Sequence, residues 1–518
     1  MSHDQQFNHE DNHEDEGDVF FDPNDVEQEV EIDEDHPMED FSDNEEQDIQ
    51  EMAFQNDSDA HFDKHNDSIF CIAQHPTRPS IVMTGGGDDV AYIFDSTPNK
   101  PVLPQSYNAS PLVKQERDSL EAIAKLEGHE DSVNGVAFTK PNGQYAVTAG
   151  MDGKLRAYMD VSPASDGTQW KFVAETKEVD EINWIEACPS TGDEETKNVV
   201  AVGAIDGSVW VFRIDASDSE TPITIVQTFF QHTAPCTAGA WTPDGKLLAT
   251  VSEDATFYVY DVFGAAAAAG FSTTSGTSTI VGLTPDDQRF AVDGGLYSIA
   301  LSPSGTIAAV GGAEGHIKII SMPVLSRPAP AKPQKGGKAR PGKTAPAAAA
   351  GPAAGGAGGA PGTLLASLQA QTDGVETLSF SSPPMTLLAA GSVDGSIALF
   401  DCAHRFAVRR HIKSAHEDAA VVKVDFVHDA ASTNPAAPNK SWLLTSVGID
   451  GVVRRWDARG GTAAAGHGLL KEWRGHFGLS ENPENEERSG GILGFVQTSD
   501  RVVTAGDDSI SLVFEESS

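Results

Sequence analysis

The chain has 518 residues and a formal net charge of −43 at pH 7, because 78 acidic side chains outnumber 35 basic ones. A field of this sign repels nucleic acid and anionic lipid and attracts basic proteins, so we expect neither direct nucleic-acid binding nor membrane association. The four cysteines, at positions 71, 188, 236 and 402, have no CxxC or metal-ligand spacing. We therefore expect thiols in a reducing compartment and no metal site.

The beginning of the chain shows neither the basic segment nor the apolar core of a secretory signal. No apolar run reaches the roughly 18 residues that would span a bilayer. Together these features predict a cytoplasmic protein, and we expect it to be a monomer.

Residues 1–51 differ in composition from everything that follows. The first 50 residues contain 21 Asp or Glu and no Lys or Arg. Low hydrophobicity combined with high charge cannot offset the entropy of ordering a chain, so we expect a disordered acidic head. Such a head acts either as a solubilising tail or as a weak electrostatic collector for a basic partner. The sequence leaves both roles open.

A motif recurs eight times from residue 52 onward. Each copy has a short apolar run, a Gly/Ser-rich step, an acidic residue and an alternating strand, most clearly at residues 149–158, 391–400 and 447–456. Asp-Gly and Asp-Asp steps favour tight turns between strands because these residues accept positive φ. Repetition at intervals of several dozen residues is typical of propellers and solenoids. Residues 52–518 are therefore predicted to form one all-β domain of eight units.

Two segments inside this domain are predicted to be loops. Residues 322–362 are rich in Pro, Ala and Gly and contain six basic residues and no acid, which predicts a flexible inserted loop. Residues 264–278 have a similar bias towards small residues. Outside residues 1–50 and 322–362, 57 acids still stand against 29 bases, so the repeat domain is itself strongly acidic.

Eight apolar runs precede the turns and are predicted to be innermost strands that are buried on both faces. They begin at Ile69, Ser132, Ile182, Cys236, Leu296, Val375, Val421 and Gly491. Five units also place a histidine before this run, and the interval to the turn acid is 22 or 23 residues in three of them. Aromatic–Asp pairs follow the turns, and Trp456-Asp457 is the full Trp-Asp dipeptide.

This order of Gly-His, strand, turn acid and Trp-Asp resembles the WD-repeat family. The resemblance implies an eight-bladed β-propeller in which His, Ser or Thr, the turn Asp and an aromatic form a buried hydrogen-bond network. The network residues would be His65, Asp88, His129, Asp152, His232, Asp254, His416, Asp450, His476 and Asp507. The last unit has three strands, so we expect residues 52–62 to supply its outer strand and close the ring.

The His/Asp pairs do not suggest an enzyme, because they recur in unit after unit, as no single active site would. The step Gly85-Gly86-Gly87 is not followed by Lys-Ser/Thr, so it is not a phosphate-binding loop. A nucleophile motif of the Gly-x-Ser-x-Gly type that opens a helix is also missing from the sequence. We expect no catalytic activity and no cofactor.

A second set of acids is predicted to line the rim of one propeller face. These residues enter the innermost strands or adjoin the turn acids, and few bases share their positions, Lys423 being an exception. A ring of like charge costs self-repulsion unless a basic partner fills it. The predicted binding residues are Asp89, Glu130, Asp131, Asp180, Glu181, Glu253, Asp373, Glu376, Glu417, Asp418 and Asp508.

Residues 64–73, 84–94 and 126–133 resemble a narrower group, that of the angio-associated migratory cell protein and the dedicated fungal chaperone of large-subunit ribosomal protein L ten. This resemblance implies a chaperone that binds the basic N-terminal segment of the newly made ribosomal protein and delivers it to late pre-ribosomal large subunits. A basic unassembled client aggregates or binds RNA indiscriminately, and a preformed acidic surface neutralises it. The alternatives are a scaffold in signalling or cytoskeletal assemblies and a histone-binding propeller.

Overall fold

Strands make up nearly all the regular structure of the chain in its computed structural model. The model describes residues 55–98, 117–162, 168–190, 192–273, 278–325, 360–428, 440–460, 468–477 and 490–516. The predicted acidic head (residues 1–51) and most of the predicted loop at 322–362 lie outside these ranges.

The strands form eight antiparallel sheets, the blades, which follow one another along the chain. A short strand, β1 (Ala60–Phe62), precedes the first of them. From the first strand outward, blade 1 contains β2 (Ile69–Gln74), β3 (Ile81–Gly86), β4 (Ala91–Asp95) and β6 (Ala122–Leu126), with β5 (Asp118–Ser119) lying between β4 and β6 in sequence. Blade 2 contains β7 (Val133–Phe138), β8 (Tyr145–Gly150), β9 (Lys154–Asp160) and β10 (Trp170–Lys177). Blade 3 contains β11 (Ile182–Ala187), β12 (Val199–Ala204), β13 (Val209–Ile214) and β14 (Ile223–Phe229). Blade 4 contains β15 (Cys236–Trp241), β16 (Leu247–Ser252), β17 (Phe257–Asp261) and β18 (Thr279–Leu283).

The second half repeats the pattern. Blade 5 contains β19 (Leu296–Leu301), β20 (Ile307–Gly312), β21 (His316–Ser321) and β22 (Leu364–Gln369). Blade 6 contains β23 (Val375–Phe380), β24 (Leu387–Ser392), β25 (Ile397–Asp401) and β26 (Ala407–Ile412). Blade 7 contains β27 (Val421–Phe426), β28 (Leu443–Gly448), β29 (Val453–Asp457) and β30 (Leu469–Trp473). Blade 8 contains β31 (Ile492–Gln497), β32 (Arg501–Gly506) and β33 (Ser511–Glu515). The first strands of neighbouring blades contact one another around a closed ring, which confirms the predicted eight-bladed propeller.

Strand β1 closes this ring. It pairs antiparallel with β33, with Ala60 opposite Val513 and Phe62 opposite Ser511. Phe62 is fully buried and stacks on Phe94 of blade 1 with 4.2 Å between ring centroids. The predicted closure by the segment before the first repeat is therefore confirmed. Strand β5, which was not predicted, adds a fifth, parallel strand outside β1.

The hydrophobic core is divided among the seams between blades. Each of the eight clusters of buried apolar residues draws on two neighbouring blades, for example β8 and β12 in one seam and β24 and β27 in another. The second strand of each blade is buried along nearly its whole length. The expectation of two-sided burial is wrong for several first strands, such as β11 and β15, because one side of these strands lines the centre of the propeller.

Helical structure is confined to single turns among the described residues. The predicted loop at 264–278 begins with a four-residue helix, Ala265–Ala268, and short 3-10 turns occur at Ala313–Gly315 and Cys402–His404. Within the described ranges, no helix is long and apolar enough to cross a membrane. All four cysteines are free thiols.

Candidate peptide-binding face

The candidate site lies on the face formed by the turns between second and third strands. In these turns the residue after the acid has positive φ, at 62° for Asp89, 74° for Gly153 and 67° for Ser509. The acid itself ties the turn to the loop that leads into the first strand. Asp152, for example, accepts hydrogen bonds from the backbone N–H of Lys154 and of Glu130 at 2.9 and 3.0 Å. Turn and loop are thereby held side by side in each blade that carries the pair.

The His, Asp and hydroxyl members of the predicted network are in place in four blades, where a buried imidazole joins the turn acid to a hydroxyl of the second strand. The aromatic member joins them in blade 7, where Trp456 Nε1–H donates to Ser446 Oγ at 2.8 Å. In blade 2, Nδ1 of His129 lies 3.0 Å from Asp152 and Nε2 lies 2.8 Å from Thr148 Oγ1. Burial lowers the pKa of His129, so the ring is neutral, Nδ1–H donates to the carboxylate and Nε2 accepts from the hydroxyl. The corresponding triads are His65–Asp88–Thr84, His416–Asp450–Ser446 and His476–Asp508–Thr504.

The turn acid of blade 8 is Asp508, and the prediction of Asp507 is wrong. Asp508 Oδ1 lies 2.9 Å from His476 Nδ1, and its side chain is nearly buried. Asp507 instead accepts a hydrogen bond from Ser68 Oγ of blade 1 at 2.6 Å. The sequence Asp507-Asp508 offered two candidates for one position. Asp508 therefore belongs to the buried network and not, as predicted, to the rim acids. Asp507, which was predicted for the network, lies at the rim instead.

Blade 4 contains a variant of the network that the sequence did not indicate. His232 Nδ1 contacts Thr256 Oγ1 at 2.6 Å, and that hydroxyl donates to Asp254 at 2.5 Å, so the threonine relays the contact. Although burial alone would raise it, the nearby His232 ring and hydrogen bonds from Thr233 and Thr256 hold the pKa of Asp254 well below its usual range. In blade 6, Gln371 replaces the histidine and donates to the Ser396 carbonyl oxygen at 2.9 Å.

A β-bulge in every first strand shapes the centre of this face. The pairing between first and second strands shifts after the first residue in all eight blades, which leaves the second residue of the first strand unpaired. Bulges commonly re-aim a side chain beside a functional site. The bulged residues are Phe70, Asn134, Asn183, Thr237, Tyr297, Glu376, Val422 and Leu493.

Four of these bulged residues, from blades 3 to 6, line a cavity of about 330 Å³. Two residues that precede turn acids, Ile205 and Glu253, complete it together with Pro235. Two of the predicted rim acids, Glu253 and Glu376, thus meet in one cavity although they lie in different blades. The full lining is Asn183, Ile205, Pro235, Thr237, Glu253, Tyr297 and Glu376.

The electrostatics of this cavity favour a positively charged occupant. Burial, and then the charges of Glu253 and Glu376, raise the pKa of the Tyr297 hydroxyl. Glu376 is exposed to solvent, but the surrounding protein removes part of its hydration. This desolvation, and then the charge of Asp373, raise the pKa of Glu376. A cation that binds beside Glu376 would stabilise its charged form, which desolvation and Asp373 disfavour.

A second group of like charges lies where blades 1 and 2 meet. Desolvation, followed by the charges of Asp131, Asp88 and Asp152, raises the pKa of Asp89. The remaining predicted rim acids are distributed around the face. Asp131, Asp180, Glu253, Asp373, Glu376, Glu417 and Asp418 are exposed, as is Glu130, whereas Glu181 and Asp89 are half-buried.

Two bases on this face have partners within the chain. Lys154 Nζ lies 2.8 Å from Glu130, so Glu130 is already neutralised in part. Lys423 donates to the Phe495 carbonyl oxygen of blade 8 at 2.9 Å and packs over the Phe495 ring. Among the predicted acids, Glu130 is therefore a weaker candidate for contact with a partner than Glu253 or Glu376.

Apolar side chains on the same face were not predicted. Phe70, Met151 and Ile205 are each about two-fifths exposed, at 40%, 39% and 41%. Phe70 is a bulged residue, as Glu376 is in blade 6. Met151 and Ile205 each precede a turn acid, as Glu253 does in blade 4. This face therefore carries both acidic and exposed apolar side chains. Within the described residues, no cluster of His, Cys, Asp or Glu has the arrangement of a metal site.

A family model for the WD domain, G-beta repeat, matches residues 57–95, 120–158, 223–261 and 362–401. Among solved structures, Chaetomium thermophilum Sqt1 bound to the N-terminus of the ribosomal protein L10 is 46% identical, with a TM-score of 0.71, and the match covers 89% of this chain and all of that one.

Two curated proteins extend the comparison. The ribosome assembly protein SQT1 of Saccharomyces cerevisiae is 31% identical over 42% of this chain, and the match spans 45% of the yeast protein. The human angio-associated migratory cell protein is 24% identical over 82% of this chain and 74% of its own length. The repeats, the fold and the Chaetomium thermophilum structure thus agree.

Proposed function

This chain belongs to the Sqt1 family of WD-repeat ribosome assembly proteins, and on that premise we propose that it is a dedicated chaperone for a large-subunit ribosomal protein of the L10 type. It binds the N-terminal segment of the newly made protein and delivers it, in the cytoplasm, to late pre-ribosomal large subunits. The observation that carries the proposal is the Chaetomium thermophilum Sqt1 complex, which contains the L10 N-terminus and is 46% identical to this chain. No catalytic step is needed for this role.

The face described above supplies a chemical reason for the proposal. An extended basic segment can place one cationic side chain between Glu253 and Glu376 while its backbone crosses the bulged residues of neighbouring blades. Exposed apolar side chains such as Phe70 and Ile205 would contact the residues between the basic ones. The preferred client is therefore a segment in which basic and apolar residues alternate, rather than a uniformly basic one.

The further acids on the rim would act at longer range. Asp131, Asp180, Asp373, Glu417 and Asp418 are exposed, so single contacts with them are worth only about 0.2–1 kcal/mol. Their combined field steers a basic segment towards the cavity and raises the association rate. Affinity and rate would thus depend on different acids of the same face.

Purification of the tagged full-length chain from cytosol, followed by mass spectrometry, tests the proposal. A chaperone of this kind yields one ribosomal protein in near-stoichiometric amount. The variant Glu253→Lys with Glu376→Lys should lose that protein, whereas Glu194→Lys with Glu220→Lys, an equal charge change in exposed loops of the opposite face, should retain it. Recovery of core histones, or of several signalling proteins without a ribosomal protein, would contradict the proposal.

A further inference from the structure

A group of basic side chains stands out on the otherwise acidic surface, at the edge shared by blades 6 and 7. We call it the basic flank and define it as the basic residues His404, Arg405, Arg409 and Arg459 together with the adjoining Trp442. Residues 402–416 contain four Lys or Arg and no Asp or Glu, although the whole chain carries a net charge of −43. This local reversal of sign is the observation from which the inference starts.

Contacts between the two blades hold the flank together. Arg409 of β26 donates to the Arg459 carbonyl oxygen of blade 7 at 2.7 Å. The guanidinium of Arg459 lies over the Trp442 ring, with 3.6 Å from Cζ to the ring centroid. Behind them the buried Arg410 donates to the Asp457 carbonyl oxygen at 2.8 Å. Direct contacts therefore hold Arg409 of blade 6 beside Arg459 and Trp442 of blade 7.

Among the described residues, two carboxylates balance these charges. Asp401 contacts His404 at 3.0 Å and Arg409 at 3.7 Å, and Asp457 receives a forked contact from Arg459. Arg405 is exposed and has no ion-pair or hydrogen-bond partner within the described part of the chain. The side chains of His404 and Arg459 are 79% and 54% exposed. Positive charge therefore remains available on the flank.

The flank lies on the face opposite the peptide-binding face. His404 and Arg405 connect the third and fourth strands of blade 6, and Arg459 follows the third strand of blade 7. In an antiparallel blade these connections lie at the end opposite the turns between second and third strands. Screening limits electrostatic influence to about 8–10 Å at physiological salt, so the acids of the peptide-binding face do not cancel the charge of the flank.

We propose that the basic flank binds the phosphate backbone of RNA. Guanidinium groups match phosphate geometry with paired hydrogen bonds, and planar Arg–aromatic stacks are suited to contact with nucleotides. Phosphates concentrate more negative charge than an acidic polypeptide does, so they compete better with Asp401 and Asp457 for these arginines. The expectation against nucleic-acid binding came from the charge of the whole chain, whereas this surface differs in sign from the average. The proposal does not depend on the identity of the client.

Fluorescence anisotropy with a labelled RNA hairpin and the full-length chain tests this proposal. The wild type should bind with an affinity that falls steeply between about 0.05 and 0.2 M salt. Arg405→Gln with Arg459→Gln should weaken binding on the order of tenfold and reduce the salt slope by about 2. Arg405→Lys with Arg459→Lys should recover the slope but only part of the affinity, because lysine keeps the charge and loses the planar stack.

Lys171→Gln with Arg289→Gln is the matched control, since it removes two exposed charges from blade 2 and from the loop before blade 5. This control should bind RNA like the wild type. Absence of RNA binding by the wild type, or an equal loss in the control, would overturn the proposal. Flank-dependent binding of poly-glutamate without RNA binding would also overturn it and would indicate an acidic protein partner. Binding of the L10 N-terminal peptide, measured in parallel, should be unchanged in all three variants.

Discussion

The turn acids and the rim acids lie on the same face, yet their environments are opposite. Asp508 is nearly buried and contacts His476, while Glu253 immediately precedes the turn acid of blade 4 and is exposed in a shared cavity. Hydrogen bonds lower the pKa of turn acids such as Asp152, whereas burial and then the charge of Asp373 raise that of Glu376. The turn acids stabilise the blades that carry the network, and the rim acids are proposed to present their charge to a partner.

The largest effect on stability is expected from removal of the closing strand. Deleting residues 1–63 removes β1, including the fully buried Ala60 and Phe62, and should lower the midpoint of thermal unfolding strongly. Phe62→Ala alone should cost about 3–5 kcal/mol because it leaves a cavity between blades 8 and 1. Deleting residues 1–54 is the control and should leave the unfolding free energy nearly unchanged. Equal stability of the two truncations would contradict closure by β1.

A smaller effect should separate two adjacent aspartates. Asp508→Ala leaves the buried His476 ring without its carboxylate partner and should cost about 1–3 kcal/mol. Asp507→Ala removes the hydrogen bond from Ser68 and should cost about 0.5–1.5 kcal/mol. Urea unfolding of the two variants measures the difference. A larger loss of stability for Asp507→Ala than for Asp508→Ala would contradict the assignment of Asp508 as the turn acid of blade 8.

Acidification should affect the buried network and the rim acids in opposite directions. In the folded chain the pKa values of His129 and Asp152 lie below their ordinary values of 6.5 and 3.8. The unfolded chain therefore binds more protons than the folded chain in both pH ranges. The free energy of unfolding should fall as the pH drops below about 6.5, because of His129, and again below about 4, because of Asp152. The pKa of Glu376 is raised, so its protonation relieves repulsion from Asp373.

Glu376→Gln should therefore be slightly more stable than the wild type at pH 7 and equally stable near pH 4. Thermal unfolding at both pH values measures this change, and Glu194→Gln serves as an exposed control on the opposite face. A stability gain for Glu376→Gln that increases towards pH 4 would contradict the raised pKa of Glu376.

The smallest effect is expected for the inserted loop. The Ala360 carbonyl oxygen accepts hydrogen bonds from Ser321 and Thr363, each at 2.6 Å, so the turn that leads into β22 begins at residue 360. Deletion of residues 327–359 should leave stability and peptide affinity nearly unchanged, because loop-closure entropy varies slowly with length. Differential scanning calorimetry and peptide titration check this. A tenfold loss of peptide affinity would show that the loop takes part in binding.

The sequence was sufficient for the fold because the repeat itself encodes it. The turn acids, the histidines ahead of the first strands and the Trp-Asp dipeptide specified eight blades and most network partners. Where two acids were adjacent, as at Asp507-Asp508, the spacing could not choose between them. The relay through Thr256 was also invisible, since a threonine two residues after a turn acid has no distinctive pattern.

The site was harder to predict because it depends on the bulges. A bulge is a property of strand pairing and leaves no period in the sequence, so the convergence of Tyr297 and Glu376 with Glu253 could not be derived from the sequence. The rim acids could be listed from charge alone, but their ranking needed the Lys154 contact that partly neutralises Glu130. Charge patterns thus indicate a candidate face, and packing shows the cavity within it.

The central claim is that the peptide-binding face holds a basic segment through Glu253 and Glu376. Isothermal titration calorimetry of the full-length chain with the L10 N-terminal peptide, at low and high salt, tests it most directly. Single changes to glutamine should be mild, at about 0.2–1 kcal/mol each. Glu253→Lys with Glu376→Lys should abolish measurable binding, because repulsion replaces attraction, while Glu194→Lys with Glu220→Lys should bind like the wild type. Salt-independent binding, or full affinity of the Glu253→Lys, Glu376→Lys variant, would contradict the claim.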